Sequence, residues 1–502
     1  NINVIGYDIK SNERTKELGK RGIKIEYTNP QGKLPDCNLV IYSDSLSKEF
    51  LGKIKNINSN TLFIEVGEFK RELIERIKSK TLLLKEREAV NKSNMFPLIN
   101  FDSKGMKLIG VTGTDGKTTV VNMIFSMLSN AGFKPGMIST VKVSYGEKES
   151  KSGLHVTTPS SQDIINHLEI MRDLGCTHAV VECTSQGLYM GRVFGLKFDI
   201  AVYTNIKRDH LGYDKTWLRY LKAKSLLIEE NLKKNVISVL NFDDKKSFKY
   251  LKASSKKYFS YSILNQGKEV SNIWAYNIKE CIDGISFTVS GSKFQIPIIG
   301  KYNVSNALAS ISVLKILGIN IERQPKLLKD FQPVEGRMNV LQRQPFTIIV
   351  DFAHTPNGLL NALRAVSKLK QRGKKLILVF GCASKRDDYK RPIMGRYAKS
   401  FADITILTAE DCRSESLKEI NNQIEKGWKE YLIEKERKLI RFDNDKENVK
   451  VRRDAILKAL SLAEKGDIVL ITGKGHEKSL CFGLKEYPWN EIEEVNVLIT
   501  NS

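Results

Sequence analysis

Val111-Thr-Gly-Thr-Asp-Gly-Lys-Thr-Thr119 links a short apolar run to the helix-forming stretch Val120 to Asn130, and its residue types suit a polyphosphate. Gly113 and Gly116 permit a tight turn whose backbone N–H groups can face a polyphosphate at a helix N-terminus, with Thr114, Asp115 and Thr119 completing the set of ATP-binding candidates. Lys117 is placed to reach the β and γ phosphates of ATP, and Thr118 to offer its hydroxyl to Mg²⁺. Position 111 is Val where the strict phosphate-loop spacing has Gly. The strand, loop and helix together still favour a phosphate loop over an ordinary glycine-rich turn.

A phosphate loop alone does not separate hydrolase, kinase, motor and ligase. Two neighbouring runs narrow the choice. Glu182 follows the apolar run Ala179 to Val181, which puts a carboxylate at a strand end, where it can ligate Mg²⁺. Thr204 to His210 also follows a strand, and His210, with Asn205 and Asp209 beside it, reads as a metal or phosphate ligand. Lys224 lies in the helical stretch Trp217 to Leu227, where local chemistry alone makes it a surface cation.

These residues need an α/β scaffold, and the chain reads as three such segments. Residues 1–100 form a small α/β unit, with strands at Val4 to Asp8 and Asn38 to Tyr42 and a helix at Glu13 to Lys20. Asp8 could hold a ribose or be merely structural. Residues 101–337 alternate apolar runs at Lys107 to Val111, His178 to Val181, Asp199 to Tyr203 and Val236 to Leu240 with helices, as a central ATP-binding domain requires. Shorter β-like runs at 266–299 suggest a small peripheral sheet, followed by a helix from Asn303 to Leu317. Residues 338–502 alternate again, with strands at Phe346 to Val350, Lys375 to Phe380, Ile404 to Leu407 and Ile468 to Ile471. Ligands gather beyond the carboxyl ends of such strands, so this Rossmann-like segment is a second functional lobe.

The bulk composition agrees with an enzyme of anionic nucleotides. A chain of 502 residues suits roughly three domains. Its net charge of +24 would also suit a nucleic-acid binder, but it carries no zinc finger, aromatic-interleaved RNA motif or isolated basic tail. We therefore expect no nucleic-acid partner. No apolar run reaches the roughly 18 residues of a membrane span, and the first residues lack the regions of a signal peptide. Seven cysteines without repeated spacing suggest neither a zinc site nor a disulfide framework. The expectation is a cytoplasmic protein, with a monomer as the default oligomeric state.

The motifs taken in order resemble the Mur ligases, which add amino acids to nucleotide-linked cell-wall precursors, and most of all their MurE type. The resemblance rests on Thr112 to Thr118, Thr157-Thr-Pro159, Glu182 to Leu188 with Arg192, Asn205 to His210, Ala223-Lys224, Gly300 to Ala307, Glu335 to Met338, Asp351 to Pro356 and Gly473 to Glu477. It implies a three-domain α/β architecture and an ATP-dependent ligase that forms an acyl phosphate and then an amide, releasing ADP and phosphate. It also implies a carbamylated Lys224 sharing a second Mg²⁺ with His210, while Thr118 and Glu182 hold the first. Asn303 and Asn306 resemble adenine-recognition residues, and Arg337, Asp351 and His354 resemble groups that approach ribose or phosphates. Thr157, Thr158, Ser185 and Arg192 match the site that receives a UDP-linked peptide. Asp411, Arg413, Gly473 and Glu477 match the site for the free amino acid.

The chain departs from the family at Cys183 and Gln186, which stand in place of serine and histidine, and Gln186 puts that histidine's contact with the acceptor in doubt. It departs again at Glu410-Asp-Cys-Arg413, where diaminopimelate-adding relatives carry Asp-Asn-Pro-Arg. Asp411 suits an ammonium better than Asn does. Gly473 and Glu477 resemble the diaminopimelate-type signature while the altered triplet at 410–412 leaves lysine open, so the resemblance implies a diamino acid, either lysine or diaminopimelate. The first segment looks more like the nucleotide-recognition domain of the MurC or MurD type, which opens an archaeal pseudomurein peptide as acceptor. Folylpolyglutamate or cyanophycin-type ligases share the ATP core and form the enzymatic alternative. A nonenzymatic nucleotide-binding partner subunit is the other, against which intact Lys117, Glu182, His210 and Lys224 argue.

Overall fold

The computed structural model describes 101–151, 157–207, 216–229, 232–264, 270–321, 324–384, 388–443 and 449–500, together with four short strands before residue 66. The chain divides into two compact units, Asn1–Ser93 and Asn94–Ser502. In the first, β1 (Ile5–Tyr7) pairs in parallel with β2 (Lys24–Glu26), and β3 (Leu39–Tyr42) with β4 (Leu62–Glu65). Two of these strands fall where the apolar runs predicted them. Asp8 and the helix expected at Glu13 to Lys20 lie outside the described residues.

The second unit contains two large sheets. In its first half, β5 (Lys107–Thr112), β6 (Pro135–Ile138), β7 (Lys142–Tyr145), β8 (Lys148–Lys151), β9 (His178–Glu182), β10 (Phe198–Tyr203), β11 (Leu232–Asn241), β12 (Lys257–Ser262) and β13 (Ile273–Trp274) form one sheet. Their order is β13-β12-β11-β10-β5-β9-β6-β7-β8, parallel from β13 to β6 and antiparallel beyond.

Side chains alternate across a strand, so a parallel sheet buried on both faces needs unbroken apolar runs. On β5, Ile109 and Val111 join the core on one face with α1 (Lys117–Asn130), while Leu108 joins the core on the other with α2 (Ser161–Asp173). The same rule explains why β9 and β10 were legible. A three-stranded antiparallel sheet of β14 (Tyr276–Cys281), β15 (Gly284–Val289) and β16 (Ser292–Ile296) stands where the small sheet was expected.

Further helices of this half are α3 (Ser185–Tyr189), α4 (Trp217–Glu229), α5 (Lys245–Ser254) and α6 (Tyr302–Ile316). Almost every side of α6 is buried, from Val304 to Leu314, so it runs through the core instead of along its surface.

The second sheet runs β17-β18-β22-β19-β20-β21, with β17 (Asn339–Gln342) antiparallel to β18 (Thr347–Asp351). Then β19 (Leu376–Phe380), β20 (Ile404–Leu407), β21 (Lys438–Arg441) and β22 (Ile468–Thr472) continue in parallel. Helices α7 (Pro356–Leu369), α8 (Lys390–Phe401), α9 (Leu417–Glu430), α10 (Lys450–Leu462) and α11 (Glu491–Thr500) accompany it. A hairpin of β23 (Ser479–Phe482) and β24 (Lys485–Pro488) follows β22. Because β22 inserts between β18 and β19, Asp351 at the carboxyl end of β18 pairs with the buried Thr472 at the end of β22, and Asp351 faces the cavity beyond the sheet. Among the described residues no helix is long and apolar enough to cross a membrane.

Candidate active site

The phosphate loop sits between the carboxyl end of β5 and the first turn of α1, with β9 and β10 on either side. Gly116 has φ +83° at the helix N-cap, and a side chain there would overlap the Asn306 amide. Gly113 has φ +151°, and a side chain there would overlap the Thr204 hydroxyl. Both glycines therefore serve close approach as well as turn geometry. Lys117 Nζ donates to Thr114 O at 2.9 Å, folding back along the loop whose phosphates it would meet.

Glu182 ends β9 and is buried. Its Oε1 accepts from the Thr118 hydroxyl at 3.0 Å, and its Oε2 accepts from both the N–H and the hydroxyl of Thr140 at 3.0 Å. A hydroxyl and a carboxylate at that separation can ligate one cation together, and Mg²⁺ favours one or two protein oxygens completed by phosphates and water. The Thr118 hydroxyl and the Glu182 carboxylate are a donor pair of that kind.

Lys224 is buried on α4, not on the surface as local chemistry suggested. Its Nζ donates to Gly113 O at 2.8 Å and lies 4.5 Å from the Tyr220 ring centre. Burial pushes the Cys183 thiol upward, Glu182 adds to that rise, and Lys224 opposes it, so carboxylate and ammonium act on the same neighbourhood. His210 and Asp209 lie outside the described residues.

On the far side of β9, Thr158 is fixed twice: its hydroxyl donates to Glu182 O at 3.1 Å and accepts from Thr184 N at 2.9 Å. Arg192 donates to Thr158 O at 2.7 Å. Thr157, Ser185 and Gln186 line the cavity beside them. Asn303 and Asn306 lie in the first turns of α6, where Asn303 Nδ2 donates to Ile299 O at 2.7 Å and Asn306 Nδ2 to Asn303 Oδ1 at 2.9 Å.

From the second sheet, Asp351 accepts from Met338 N and Ala353 N, each at 2.8 Å. Burial raises its carboxyl above the ordinary range, with Arg337 opposing. The Arg337 guanidinium lies 4.5 Å from the Phe352 ring centre, and His354 and His476 contact the same ring at 4.5 and 4.6 Å. Burial, reinforced by Arg337, lowers His476 to about 3, so it stays neutral at physiological pH.

Asp411 and Glu477 come together, but around a group the sequence reading passed over. Buried Lys474 donates to Asp411 Oδ1 at 2.9 Å and to Glu477. Burial alone would lower its pKa, but Glu477 and Asp411 carry it above the ordinary lysine value. Arg413 is exposed at φ +47°, held by its N–H to Cys481 O at 3.2 Å. Gly473 has φ +113°, and a side chain there would press on the Glu410 carboxylate.

Burial raises Glu410 from 4.5 to about 7, partly opposed by Lys390 and Lys474. A carboxyl raised on folding contributes stability that is complete below the unfolded pKa and lost as pH rises through the folded one. Glu410→Gln is therefore expected to lie within about 1 kcal/mol of the parent near pH 5 and to be about 3 kcal/mol more stable near pH 8.5. Urea unfolding at the two pH values checks this; an unchanged difference would contradict it.

One cavity of about 2070 Å³ is lined by Lys117, Thr118, Glu182, Lys224, Arg337, Asp351, His354, Asp411, Arg413 and Glu477. Ligand pockets commonly measure about 300–1,000 Å³, so this one has room for a nucleotide and two further substrates. A phosphate loop opposite a Rossmann-like lobe, with a carboxylate and hydroxyl pair between them, defines a nucleotide-dependent group-transfer enzyme.

Comparison with known proteins makes the class specific. The chain matches the Mur ligase middle domain over residues 111–314 and the Mur ligase, glutamate ligase domain over 336–475. It is 37% identical over 401 residues to the UDP-N-acetylmuramoyl-L-alanyl-D-glutamate--2,6-diaminopimelate ligase of Clostridium tetani, covering 78% of each chain. The structure of a pseudomurein peptide ligase type C from Methanothermus fervidus aligns with TM-score 0.57 at 20% identity, over 99% of this chain and 94% of that one. MurF ligase from Thermotoga maritima in complex with ADP aligns with TM-score 0.59 at 18% identity, over 92% and 95%. The chain belongs to the Mur ligase family, and it is an ATP-dependent acid–amino acid ligase.

Proposed function

We propose that the enzyme joins a free diamino acid, lysine or diaminopimelate, to a carboxylate of a UDP-linked cell-wall peptide. The observation that carries this reading is the single cavity that gathers the phosphate loop, the Thr158–Arg192 face and the Asp411–Glu477 cluster. The relative from Clostridium tetani, whose name specifies diaminopimelate and a UDP-linked dipeptide, supports it.

In this reading, Thr157, Thr158, Ser185 and Arg192 receive the acceptor, with Arg192 pairing to its anionic end. The acceptor carboxylate attacks the γ phosphorus of ATP, breaking its bond to the bridging oxygen and expelling ADP, while Lys117 and the loop N–H groups stabilise charge on the phosphoryl oxygens. Mg²⁺, held by Thr118 and Glu182, would neutralise the phosphates, and a second ion would be held by His210 and a carbamate on Lys224. Burial of Lys224 with its Nζ against Gly113 O of the phosphate loop supports that last assignment, because it sets the side chain beside the nucleotide's phosphates. Asn303 and Asn306 contact adenine, and Arg337, Asp351 and His354 the ribose or phosphates.

The acyl phosphate then meets the amine delivered by the second lobe. Arg413 pairs with a substrate carboxylate, and Asp411, Gly473 and Glu477 receive the distal end of the amino acid. The amide forms and phosphate leaves, while the closed lobes keep water from the intermediate. The domains in this reading are 1–100 for the UDP precursor, 101–337 for ATP and 338–502 for the amino acid.

Competition among lysine, diaminopimelate, alanine and glutamate in ATP-dependent ligation tests the assignment. Selection of lysine or diaminopimelate is the expected result, and preference for a small neutral amino acid would overturn it. Muramyl and pseudomurein UDP-peptides offered in parallel identify the acceptor.

A further inference from the structure

A carboxylate in a phosphate loop is an unexpected choice, because facing the bound nucleotide it would repel the phosphates. Asp115 avoids this by the way its backbone is held. Its carbonyl accepts from the Thr204 hydroxyl at 2.6 Å and from Asn205 Nδ2 at 3.1 Å, and its N–H donates to Asn205 Oδ1 at 3.2 Å. So anchored, the side chain reaches across the cavity, and its Oδ2 accepts from Asn357 Nδ2, a residue 242 positions away in the second lobe.

Asn357 is held as firmly. It occupies the second position of α7, behind Pro356, with the Thr355 hydroxyl capping the helix by accepting from Gly358 N at 3.0 Å. Leu359, Ala362, Leu363 and Val366 fix α7 in the core of that lobe. The backbone of each partner is thus fixed to its own lobe, so the bond between their side chains depends on how the two lobes are set.

We infer that Asp115 and Asn357 are a positioning pair that registers the closed arrangement of the ATP and amino-acid lobes. With the N–H groups of Thr114 and Asp115 both donated to Asn205, the phosphates are left to Lys117 and the N–H groups at the start of α1. This inference rests on the ligase reading above. The influence of Asp115 on Asp351, whose carboxyl it pushes further upward, agrees with a charge directed at the second lobe. Ligation needs acyl phosphate and amine within reacting distance, and misplacement by about 1 Å can lower a rate about 10²-fold.

A charge swap tests the pair. Asn357→Asp sets two carboxylates against each other and is expected to lower kcat by about 10- to 100-fold, with an unchanged unfolding midpoint. Asp115→Asn leaves an amide pair that can still bond and is expected to cost only about threefold. The double variant restores a carboxylate and an amide in reversed order and is expected to return within about threefold of the parent. A fully active Asn357→Asp, or a double variant no faster than it, would overturn the pairing.

Small-angle scattering separates this result from failure of the ligase reading, since it does not depend on turnover. The expected radius of gyration with ATP bound is larger for Asn357→Asp than for the parent and the double variant. Equal values for all three would overturn the pairing even if no amino acid were ligated.

Discussion

Lys117→Ala is expected to abolish coupled amide formation, lowering kcat by about 10²- to 10³-fold or more while the protein stays folded. In the phosphate loop the lysine makes one main-chain bond, to Thr114 O at 2.9 Å, whose loss is small beside the cores on both faces of the sheet. The phosphoryl group in flight carries its charge on peripheral oxygens, and a cation that touches them there but not in the free substrate acts on the barrier itself. Phosphate release measured with saturating ATP, acceptor and amino acid checks the rate, and a urea midpoint matching the parent checks the fold. Near-normal turnover would remove Lys117 from its role.

Arg452→Met is expected to cause a large loss of stability, about 3–5 kcal/mol. Arg452 on α10 and Glu491 at the start of α11 are both fully buried, paired through Nε to Oε2 at 2.8 Å and through a second contact. The guanidinium also donates to Ala409 O and Thr472 O, each at 2.8 Å, and Trp489 donates to Glu491 at 2.7 Å. Removing the arginine leaves a carboxylate in the core without its counter-charge and two carbonyls without their donor. Ala409 and Thr472 immediately precede the Glu410–Arg413 and Gly473–Glu477 runs, so the Michaelis constant for the amino acid should rise as well. Arg452→Met with Glu491→Leu removes the stranded charge and should recover more than half of the lost stability. A single-variant loss below about 1 kcal/mol in urea unfolding would contradict the account.

These two residues illustrate what the sequence could and could not disclose. Lys117 was legible because its partners are its own neighbours: strand, glycines and helix all lie within 107–130. The buried parallel strands were legible too, since Leu108, Ile109 and Val111 must be apolar whichever face they meet. Strand β6 escaped, because a four-residue run that begins with Pro135 and Gly136 gives neither length nor alternation to read.

Arg452 was illegible because nothing in its helix announces that residues 409, 472 and 491 converge on it. Lys474 was passed over for the same reason: its meaning comes from Asp411, 63 positions away. Lys224 marks the boundary between the two cases. Its spacing gave a surface cation, the family resemblance gave a metal site, and the fold buries it against Gly113. Burial and long-range pairing follow from how sheets stack, which a local pattern does not encode.

The measurement that bears most directly on the central claim follows oxygen from acceptor to product. Acceptor peptide labelled with ¹⁸O in its reacting carboxylate would be incubated with ATP, Mg²⁺ and the preferred amino acid, and amide and phosphate analysed by mass. Passage through an acyl phosphate predicts one labelled oxygen in each phosphate released and one retained in the amide. Unlabelled phosphate, with both labelled oxygens still on unligated acceptor, would mean that water attacks ATP and that the enzyme does not activate the carboxylate.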